Sequence, residues 1–212
     1  MDGTEVEVKS VRNVGAGMIA LEIESPPGFN ARPGQFLQVA GIVDGEEITR
    51  HYTLSSPTAT ETFEITVGID PDGDLSPWLA EREAGDTVSI AGPFGRSYYE
   101  GEARVIVLAG GPGIGPAVGI GERALADGND ATIVYRDDEP AHEDRLRELE
   151  ADGATVVLTE EAVSESEEVR TVLSRADGRS FVYGFADFLS DALDVLAATG
   201  HDPDEAKTEN FG

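Results

Sequence analysis

The stretch Arg50-His51-Tyr52-Thr53-Leu54-Ser55-Ser56 places an arginine, a phenol and three hydroxyl groups within seven residues of one predicted strand. Because side chains alternate along a strand, Arg50 and Tyr52 are predicted to share one face, with Thr53 on the other. The planar guanidinium of Arg50 suits a pyrophosphate, and the ring of Tyr52 can lie flat against another planar ring. FAD carries both groups. In the alternative interpretation this is an ordinary polar strand, with Tyr52 half buried and Arg50 in solvent.

Composition and charge exclude several classes of protein. The chain has 212 residues, 40% of them hydrophobic, which is enough for one large domain or two small ones. Its 42 acidic and 15 basic residues give a net charge of −27, which argues against nucleic-acid binding. Because the acidic residues are spread along the chain, and salt screens their repulsion, we interpret them as adaptation to a cytoplasm of very high ionic strength. The alternative is an acidic docking surface for a cationic partner.

The sequence predicts neither a membrane protein nor a metalloprotein. Its longest purely apolar run, Val105 to Ala109, is too short to span a membrane. The opening Met1 to Glu5 lacks the basic and apolar regions of a signal peptide, so we expect a cytoplasmic location. The absence of cysteine removes disulfides, thiolate metal sites and iron–sulfur clusters. The three histidines (His51, His142 and His201) show no ligand spacing, so no metal site is predicted.

Two patterns of secondary structure meet near residue 100. Residues 1–100 are predicted to form an antiparallel β-barrel, since short strands recur between regular turn signals and only one helical pattern, 75–83, interrupts them. The first two strands form a hairpin around Gly15-Ala16-Gly17. The six predicted strands lie within 4–14, 17–25, 32–39, 50–56, 63–67 and 87–91.

Residues 101–212 are predicted to form an α/β nucleotide-binding domain. The continuous apolar strand 105–109 is typical of a buried parallel strand, and a helical stretch to about Ala126 follows it. Strands and helices then alternate, which indicates a parallel sheet with right-handed crossovers. These later elements are strands 131–135, 154–158 and 180–184 and helices 142–151, 165–176 and 187–199.

Three further segments carry potential binding chemistry. Within 72–79, Ser76 is predicted to cap a helix that begins at Pro77, and such a helix start can hold a phosphate; the alternative is a capped surface helix that binds nothing. The glycine-rich turn 109–116 follows a buried strand and opens a helix, which favours a ligand site over a plain tight turn. Tyr183-Gly184-Phe185 ends the last long parallel strand, so it should face the same crevice.

Taken in chain order, these segments resemble the ferredoxin–NADP reductase superfamily of flavoproteins. Four of its motifs occur in order across the predicted domain boundary, and the resemblance covers nearly the whole chain. The flavin motifs Arg-x-Tyr-(Ser/Thr)-x-x-Ser and Gly-x-x-(Ser/Thr) are matched by Arg50, Tyr52, Thr53, Ser56, Gly73 and Ser76. The nucleotide turn Gly-Gly-Thr-Gly-Ile-Ala-Pro and the closing Glu-x-(Phe/Tyr) are matched by Gly110, Gly111, Gly113, Ile114, Pro116, Glu209 and Phe211.

The resemblance implies FAD in the barrel, NADH or NADPH in the second domain, and hydride transfer between their rings. It implies that Arg50 contacts the FAD pyrophosphate, Tyr52 stacks on the isoalloxazine and Thr53 lies near its N5. Tyr52 and Thr53 are therefore the predicted catalytic residues. The other predicted cofactor-binding residues are His51, Ser56, Gly73, Asp74, Leu75, Ser76, Gly110, Gly111, Pro112, Gly113, Ile114, Pro116, Thr159, Glu160, Tyr183, Gly184 and Phe185.

Three departures from the family pattern concern the nicotinamide nucleotide. Pro112 replaces the usual Thr or Ser of the turn, and Tyr183 stands where many members have Cys beside the nicotinamide. Where NADP-specific members carry Ser-Arg, this chain has Thr159-Glu160-Glu161. Two carboxylates would repel a 2′-phosphate and can accept hydrogen bonds from ribose hydroxyls, so we predict NADH over NADPH. Arg170 is the basic side chain that could instead contact a phosphate.

The sequence thus predicts an FAD-dependent oxidoreductase that takes a hydride from NADH. It would pass single electrons to a small carrier such as a ferredoxin, or to another redox subunit. The first alternative is an FAD-binding electron-transfer subunit that uses no nicotinamide nucleotide, which Pro112, Tyr183 and the acidic pair favour. The second is a non-catalytic flavin-binding or sensing protein that has kept only the fold.

Overall fold

A computed structural model describes residues 3–15 and 17–212. Ala16 of the predicted hairpin turn, and Met1 and Asp2 at the start of the chain, lie outside the described residues. None of the described helices is both long and apolar enough to cross a membrane.

The first domain is the predicted six-stranded antiparallel barrel with one short helix. Its strands are β1 (Thr4–Gly15), β2 (Met18–Glu24), β3 (Phe36–Val43), β4 (Glu46–Thr53), β5 (Thr62–Gly68) and β6 (Thr87–Phe94), and its helix is α1 (Leu75–Ala80). They pair in the order β4-β3-β6-β1-β2-β5. A bridge between Leu54 and Ile65 joins the end of β4 to β5 and closes the barrel. Alternate apolar residues such as Val8, Leu21 and Val67 fill its interior.

The second domain has the predicted parallel sheet with helices on both faces. Its elements are β7 (Arg104–Gly110), α2 (Ile114–Ala126), β8 (Asp130–Arg136), α3 (Glu143–Ala151), β9 (Thr155–Thr159), α4 (Glu167–Leu173), β10 (Arg179–Gly184), α5 (Ala186–Ala198) and β11 (Lys207–Asn210). The strand order β11-β10-β7-β8-β9 puts the chain's last strand at one edge. The periodicity of the sequence did not predict β11, because its four residues form a strand only by pairing with β10.

The predicted cap of the barrel helix is wrong. Helix α1 begins at Leu75 rather than at Pro77, its cap position is Asp74, and no side chain caps it. The hydroxyl of Ser76 instead accepts a 3.0 Å hydrogen bond from the backbone N–H of Asp70. This hydrogen bond closes the loop that precedes the helix. Ser76 itself lies in the first turn of the helix, so its side chain does not cap the helix.

The two domains pack closely against each other. Residues 95–103 connect the last strand of the barrel to the first strand of the parallel sheet. Helix α2 passes over the barrel at Gly115 and Gly119, where a Cβ would lie 2.8 Å from the side chain of Thr66 and 2.9 Å from the carbonyl oxygen of Ser55. Glycine is therefore required at both positions for the helix to approach the barrel this closely.

Candidate functional site

A cavity of about 450 Å³ lies between the barrel and the parallel sheet. Its size falls within the range of roughly 300–1,000 Å³ that is usual for small-molecule sites. It is lined by Phe36, His51, Tyr52, Thr53, Thr66, Gly68, Pro112, Phe185, Glu209, Asn210, Phe211 and Gly212. Five of these residues (His51, Tyr52, Thr53, Pro112 and Phe185) were predicted as site residues from the sequence.

Strand β4 supplies one wall of the cavity. Tyr52 pairs with Leu37 of β3, and Thr53 pairs with Phe36. Burial raises the pKa of the Tyr52 phenol to about 12, although the charge of Arg50 lowers it, so the phenol is neutral at physiological pH. The ring of His51 meets the ring of Phe36 edge to face at 5.4 Å. Although these side chains alternate in direction, Tyr52 and its two neighbours all reach the cavity.

The opposite wall comes from the end of the chain. Strand β11 brings Glu209 beside the barrel, where its Oε1 accepts a 2.7 Å hydrogen bond from the hydroxyl of Thr53. Burial raises the pKa of this carboxyl to about 7, and the Thr53 hydrogen bond opposes the shift. A carboxyl with such a pKa can hold or release a proton near neutral pH. Its position beside Thr53 makes it a candidate proton-handling group.

Two aromatic rings cover the edge of the cavity on the side of the parallel sheet. Phe185 follows β10 and is 52% exposed, and its ring meets that of Phe211 edge to face at 6.3 Å. The N–H of Phe211 donates a 3.0 Å hydrogen bond to the carbonyl of Gly184, which fixes the chain end across β10. The sequence motif Glu-x-Phe drew attention to this end of the chain, but no motif indicated Phe36, Thr66, Gly68 or Asn210.

The residues that line the cavity fit a flavin ring. Four aromatic side chains form its apolar surface, and the hydroxyl of Thr53 and carboxyl of Glu209 supply polar groups at one place. This combination of an apolar slot with a few convergent polar atoms is usual for cofactor sites. The cavity is therefore suited to the isoalloxazine ring of the predicted FAD.

The predicted phosphate-binding residues lie outside the cavity. Arg50 is exposed on β4 and donates to the carbonyl of Thr49 at 2.9 Å, and a guanidinium carries further N–H donors that suit a diphosphate. Ser56 accepts a hydrogen bond from the N–H of Glu64, and Leu75 is buried in the barrel core. Asp74 is exposed at the start of α1, so its carboxylate would repel a phosphate there.

The glycine-rich turn after β7 contributes one residue to the cavity, Pro112. Gly111 adopts a positive φ of 54°, and a Cβ at Gly113 would collide with the carbonyl oxygen of Tyr183. Cβ atoms at Gly110 or Gly184 would contact the ring of Phe188. These glycines therefore allow the turn to pack against β10 and α5. The remaining predicted turn residues, Ile114 and Pro116, are buried in α2.

Three other residues predicted to contact the nucleotide also lie away from the cavity. Tyr183 is fully buried, and its hydroxyl donates to the carbonyl of Ser97 in the connecting segment. Burial raises its pKa well above the usual value. Thr159 is the last residue of β9 and Glu160 follows it; the Thr159 hydroxyl accepts a 3.1 Å hydrogen bond from the N–H of Glu161. Arg136, which no sequence motif indicated, pairs with Thr159 across the sheet.

Comparison with known proteins bears on both domains. Residues 6–99 match the family described as an oxidoreductase FAD-binding domain. The mouse protein "NADH-cytochrome b5 reductase-like" is 39% identical over 106 residues, which are 49% of this chain and 34% of that protein. The "3-ketosteroid-9-alpha-monooxygenase, ferredoxin reductase component" of Mycobacterium tuberculosis is 34% identical over 193 residues, which are 82% of this chain and 53% of that protein. This chain thus spans about a third to a half of these relatives.

The fold of the whole chain is also found in solved structures. The flavohem-like FAD/NAD binding domain of nitric oxide dioxygenase from Vibrio cholerae superimposes with a TM-score of 0.80, at 20% sequence identity and full coverage of both chains. The family match is confined to the barrel, and the two-domain fold that the sequence predicted is confirmed.

Proposed function

We propose that this chain is a member of the ferredoxin–NADP reductase superfamily and an FAD-dependent reductase that oxidises NADH. The observation that carries the proposal is the cavity between the domains, which joins Tyr52 and Thr53 of the FAD-binding barrel to Pro112 and Glu209 of the second domain. Bound there, FAD would supply the chemistry that accepts a hydride and releases electrons one at a time. The chain's own residues bind, orient and shield the reacting groups.

Residues in the cavity and beside it have distinct roles in this proposal. The neutral Tyr52 phenol gives a flat apolar surface for ring stacking, and the exposed Arg50 binds the diphosphate. The hydroxyl of Thr53 is held in place by Glu209, which also stores a proton near neutral pH. Phe185 and Phe211 exclude water from the edge where the nicotinamide approaches.

The carboxyl edge of the parallel sheet favours NADH over NADPH. Glu160 and Glu161 directly follow β9, and their charges would repel a 2′-phosphate. Arg170, the basic side chain considered from the sequence, donates instead to the carbonyls of Ser164 and Glu165. It is therefore already engaged in its own loop, which strengthens the preference for NADH.

The partner that receives the electrons is proposed to be a small redox protein. One relative is named "NADH-cytochrome b5 reductase-like" and another a "ferredoxin reductase component", and both names contain the name of a small redox protein. We also propose that the protein is located in a cytoplasm of high ionic strength, because its net charge of −27 is spread along the chain and salt screens the repulsion among acidic side chains.

A second candidate function is FAD-dependent electron transfer without a nicotinamide nucleotide. The observation that favours it is the placement of Phe211, whose N–H is bonded to Gly184 and whose ring meets Phe185 over the edge of the cavity. In this position Phe211 lies beside β10 and lines the cavity. A nicotinamide would have to displace it to reach the cavity.

Two measurements test the proposal. We expect purified protein in concentrated KCl to bind FAD with quenching of flavin fluorescence, and Tyr52→Ala to weaken binding about 10-fold or more, through loss of roughly 1–3 kcal/mol of stacking and apolar contact. Tyr52→Phe keeps the ring and serves as the matched control. Stopped-flow reduction should be faster with NADH than with NADPH. Failure to bind FAD refutes both candidate functions, and faster reduction by NADPH refutes the choice of nucleotide.

A further inference from the structure

The guanidinium of Arg145, on α3, makes four hydrogen bonds at the contact between the two domains. Its Nε and Nη2 donate to the two carboxylate oxygens of Glu122 on α2, at 2.6 and 2.8 Å. Its Nη1 donates to Oε1 of Glu64 on β5 at 2.8 Å, and Nη2 also donates to the backbone carbonyl of Ser55 at 2.6 Å. Only 18% of the Arg145 side chain is exposed, so salt screens these bonds far less than surface ion pairs.

Ser55 connects this cluster to the cavity. It is fully buried and lies two residues after Thr53. Its hydroxyl donates to Oε1 of Glu64 at 2.7 Å, and its N–H donates to the Glu64 carbonyl at 2.8 Å. On its other side, the backbone of α2 at Gly119 passes so close that a Cβ there would lie 2.9 Å from the Ser55 carbonyl oxygen. The end of β4 is thus held between α2, β5 and Arg145.

We propose that Arg145 is a positioning residue that fixes the end of the flavin-binding strand relative to the nucleotide domain. It does not line the cavity, so it acts through Ser55 on the placement of Thr53 opposite Pro112. The planar fork of a guanidinium reaches Glu122, Glu64 and Ser55 together, whereas a lysine presents its donors from a single nitrogen. The kinetic part of the inference rests on the proposed function, but the structural part does not.

A distance measurement between the domains tests the structural part directly. The chain has no cysteine, so spin labels can be attached through Glu47→Cys on β4 and Asp194→Cys on α5, both at exposed positions. In cofactor-free protein at high KCl, we expect one narrow distance distribution for the labelled parent. Arg145→Met and Arg145→Lys should broaden or shift it. The matched control is Arg147→Met, on the same helix, because Arg147 pairs, among residues 3–15 and 17–212, only with Glu143 and Asp144 of α3.

The outcome remains decisive if Arg145→Met does not fold. Glu122→Gln keeps the size and one acceptor of that side chain but removes the charge that Arg145 binds, so it should broaden the distribution to a smaller extent. An unchanged distribution in Arg145→Lys and Glu122→Gln would overturn the proposal. So would an equal broadening in Arg147→Met, because that result would assign the effect to α3 as a whole.

Flavin reduction by NADH tests the kinetic part. Because a misplacement of 1 Å can cost about 100-fold in rate, we expect Arg145→Lys to lower the limiting reduction rate at least 10-fold. Its FAD dissociation constant should stay within about twofold of the parent value, since Arg145 does not line the cavity. A parent-like limiting rate would overturn the positioning role. Absence of reduction in the parent chain would refute the proposed function and leave the distance measurement to decide the role of Arg145.

Discussion

The hydroxyl of Thr53 donates a 2.7 Å hydrogen bond to the carboxylate of Glu209, which lies 156 residues later in the chain. Thr53 ends strand β4 of the barrel, and Glu209 lies on the edge strand of the parallel sheet. The bond therefore joins the two domains across the wall of the cavity. Substitutions at either residue report on the cavity as well as on the contact between the domains.

The raised pKa of Glu209 predicts a pH-dependent cost to stability. Burial raises this pKa to about 7, above the value of about 4.3 for an unfolded chain, so the folded protein disfavours the ionised carboxylate. The cost is absent below about pH 4, grows as the pH rises, and is complete above about pH 7. We expect Glu209→Gln to be more stable than the parent above pH 7, by roughly 1–3 kcal/mol.

Urea unfolding of the parent and of Glu209→Gln across this pH range measures the difference in their free energies of unfolding. Glu160→Gln, at an exposed carboxylate, is the control and should follow the parent at every pH. A stability difference for Glu209→Gln that does not change with pH would contradict the assignment.

The lowered pKa of His142, at the contact between the domains, predicts the opposite dependence of stability on pH. It is buried with its Nε2 2.8 Å from the hydroxyl of Thr66. Burial lowers its pKa to about 3, and the charges of Arg145 and Arg12 contribute. Because the unfolded chain takes up the proton at higher pH, stability is lost as the pH falls from about 6.5 to about 3. We expect His142→Asn to lack this loss, which amounts to roughly 2–4 kcal/mol.

Asparagine is chosen because it tolerates the positive φ of 54° at this position. Acid titration of unfolding free energy should show a shallower slope for the variant below pH 6.5, with His51→Asn as an exposed control. Parallel titration curves for parent and variant would show that His142 is not held neutral in the fold.

Gly111 and Gly113, in the turn after β7, must be glycine for different reasons. Gly113 has an ordinary φ of −59° but no room for a Cβ, whereas Gly111 has room but a φ of 54°. We therefore expect Gly113→Ala to destabilise the fold by about 3 kcal/mol, and Gly111→Ala by only about 1 kcal/mol. Thermal unfolding of both variants checks this order. Equal losses would mean that the turn does not pack against Tyr183 as described.

The net charge of −27 predicts that stability depends on salt. At about 1 M salt the Debye length is roughly 3 Å, so repulsion among surface carboxylates is largely screened. We expect the unfolding temperature to rise steeply with KCl at pH 7. Near pH 4.2, the isoelectric point of the sequence, the same addition should have a much smaller effect. An equal rise at both pH values would assign the effect to salt exclusion rather than to charge.

The sequence predicted the fold well because its two periodicities are strong. Alternation in the first hundred residues and continuous apolar strands after Val105 describe the barrel and the sheet, whose bounds differ from the predicted ones by only a few residues at most positions. Strand β11 was missed because alternation over four polar residues carries no signal without its neighbour. Ser76 was misassigned because a serine before a proline also suits the turn that it actually closes.

The site was predicted in part, and the limit is physical. Motif residues such as Tyr52, Thr53 and Pro112 reach the cavity, but several motif glycines serve the packing of the turn. Thr66 and Gly68 reach the cavity only because β5 closes the barrel beside β4, and Arg145 reaches Ser55 only because α3 packs against α2, the helix that lies on the barrel. Contacts of this kind depend on tertiary structure and leave no local pattern in the sequence.

Anaerobic titration of the FAD-loaded chain with NADH in concentrated KCl tests the central claim most directly. The account predicts that about one equivalent of NADH abolishes the visible absorption bands of the flavin, because the proposed site would hold both rings in the cavity between Tyr52 and Pro112. Flavin bands that persist in a large excess of NADH, while dithionite still abolishes them, would contradict it.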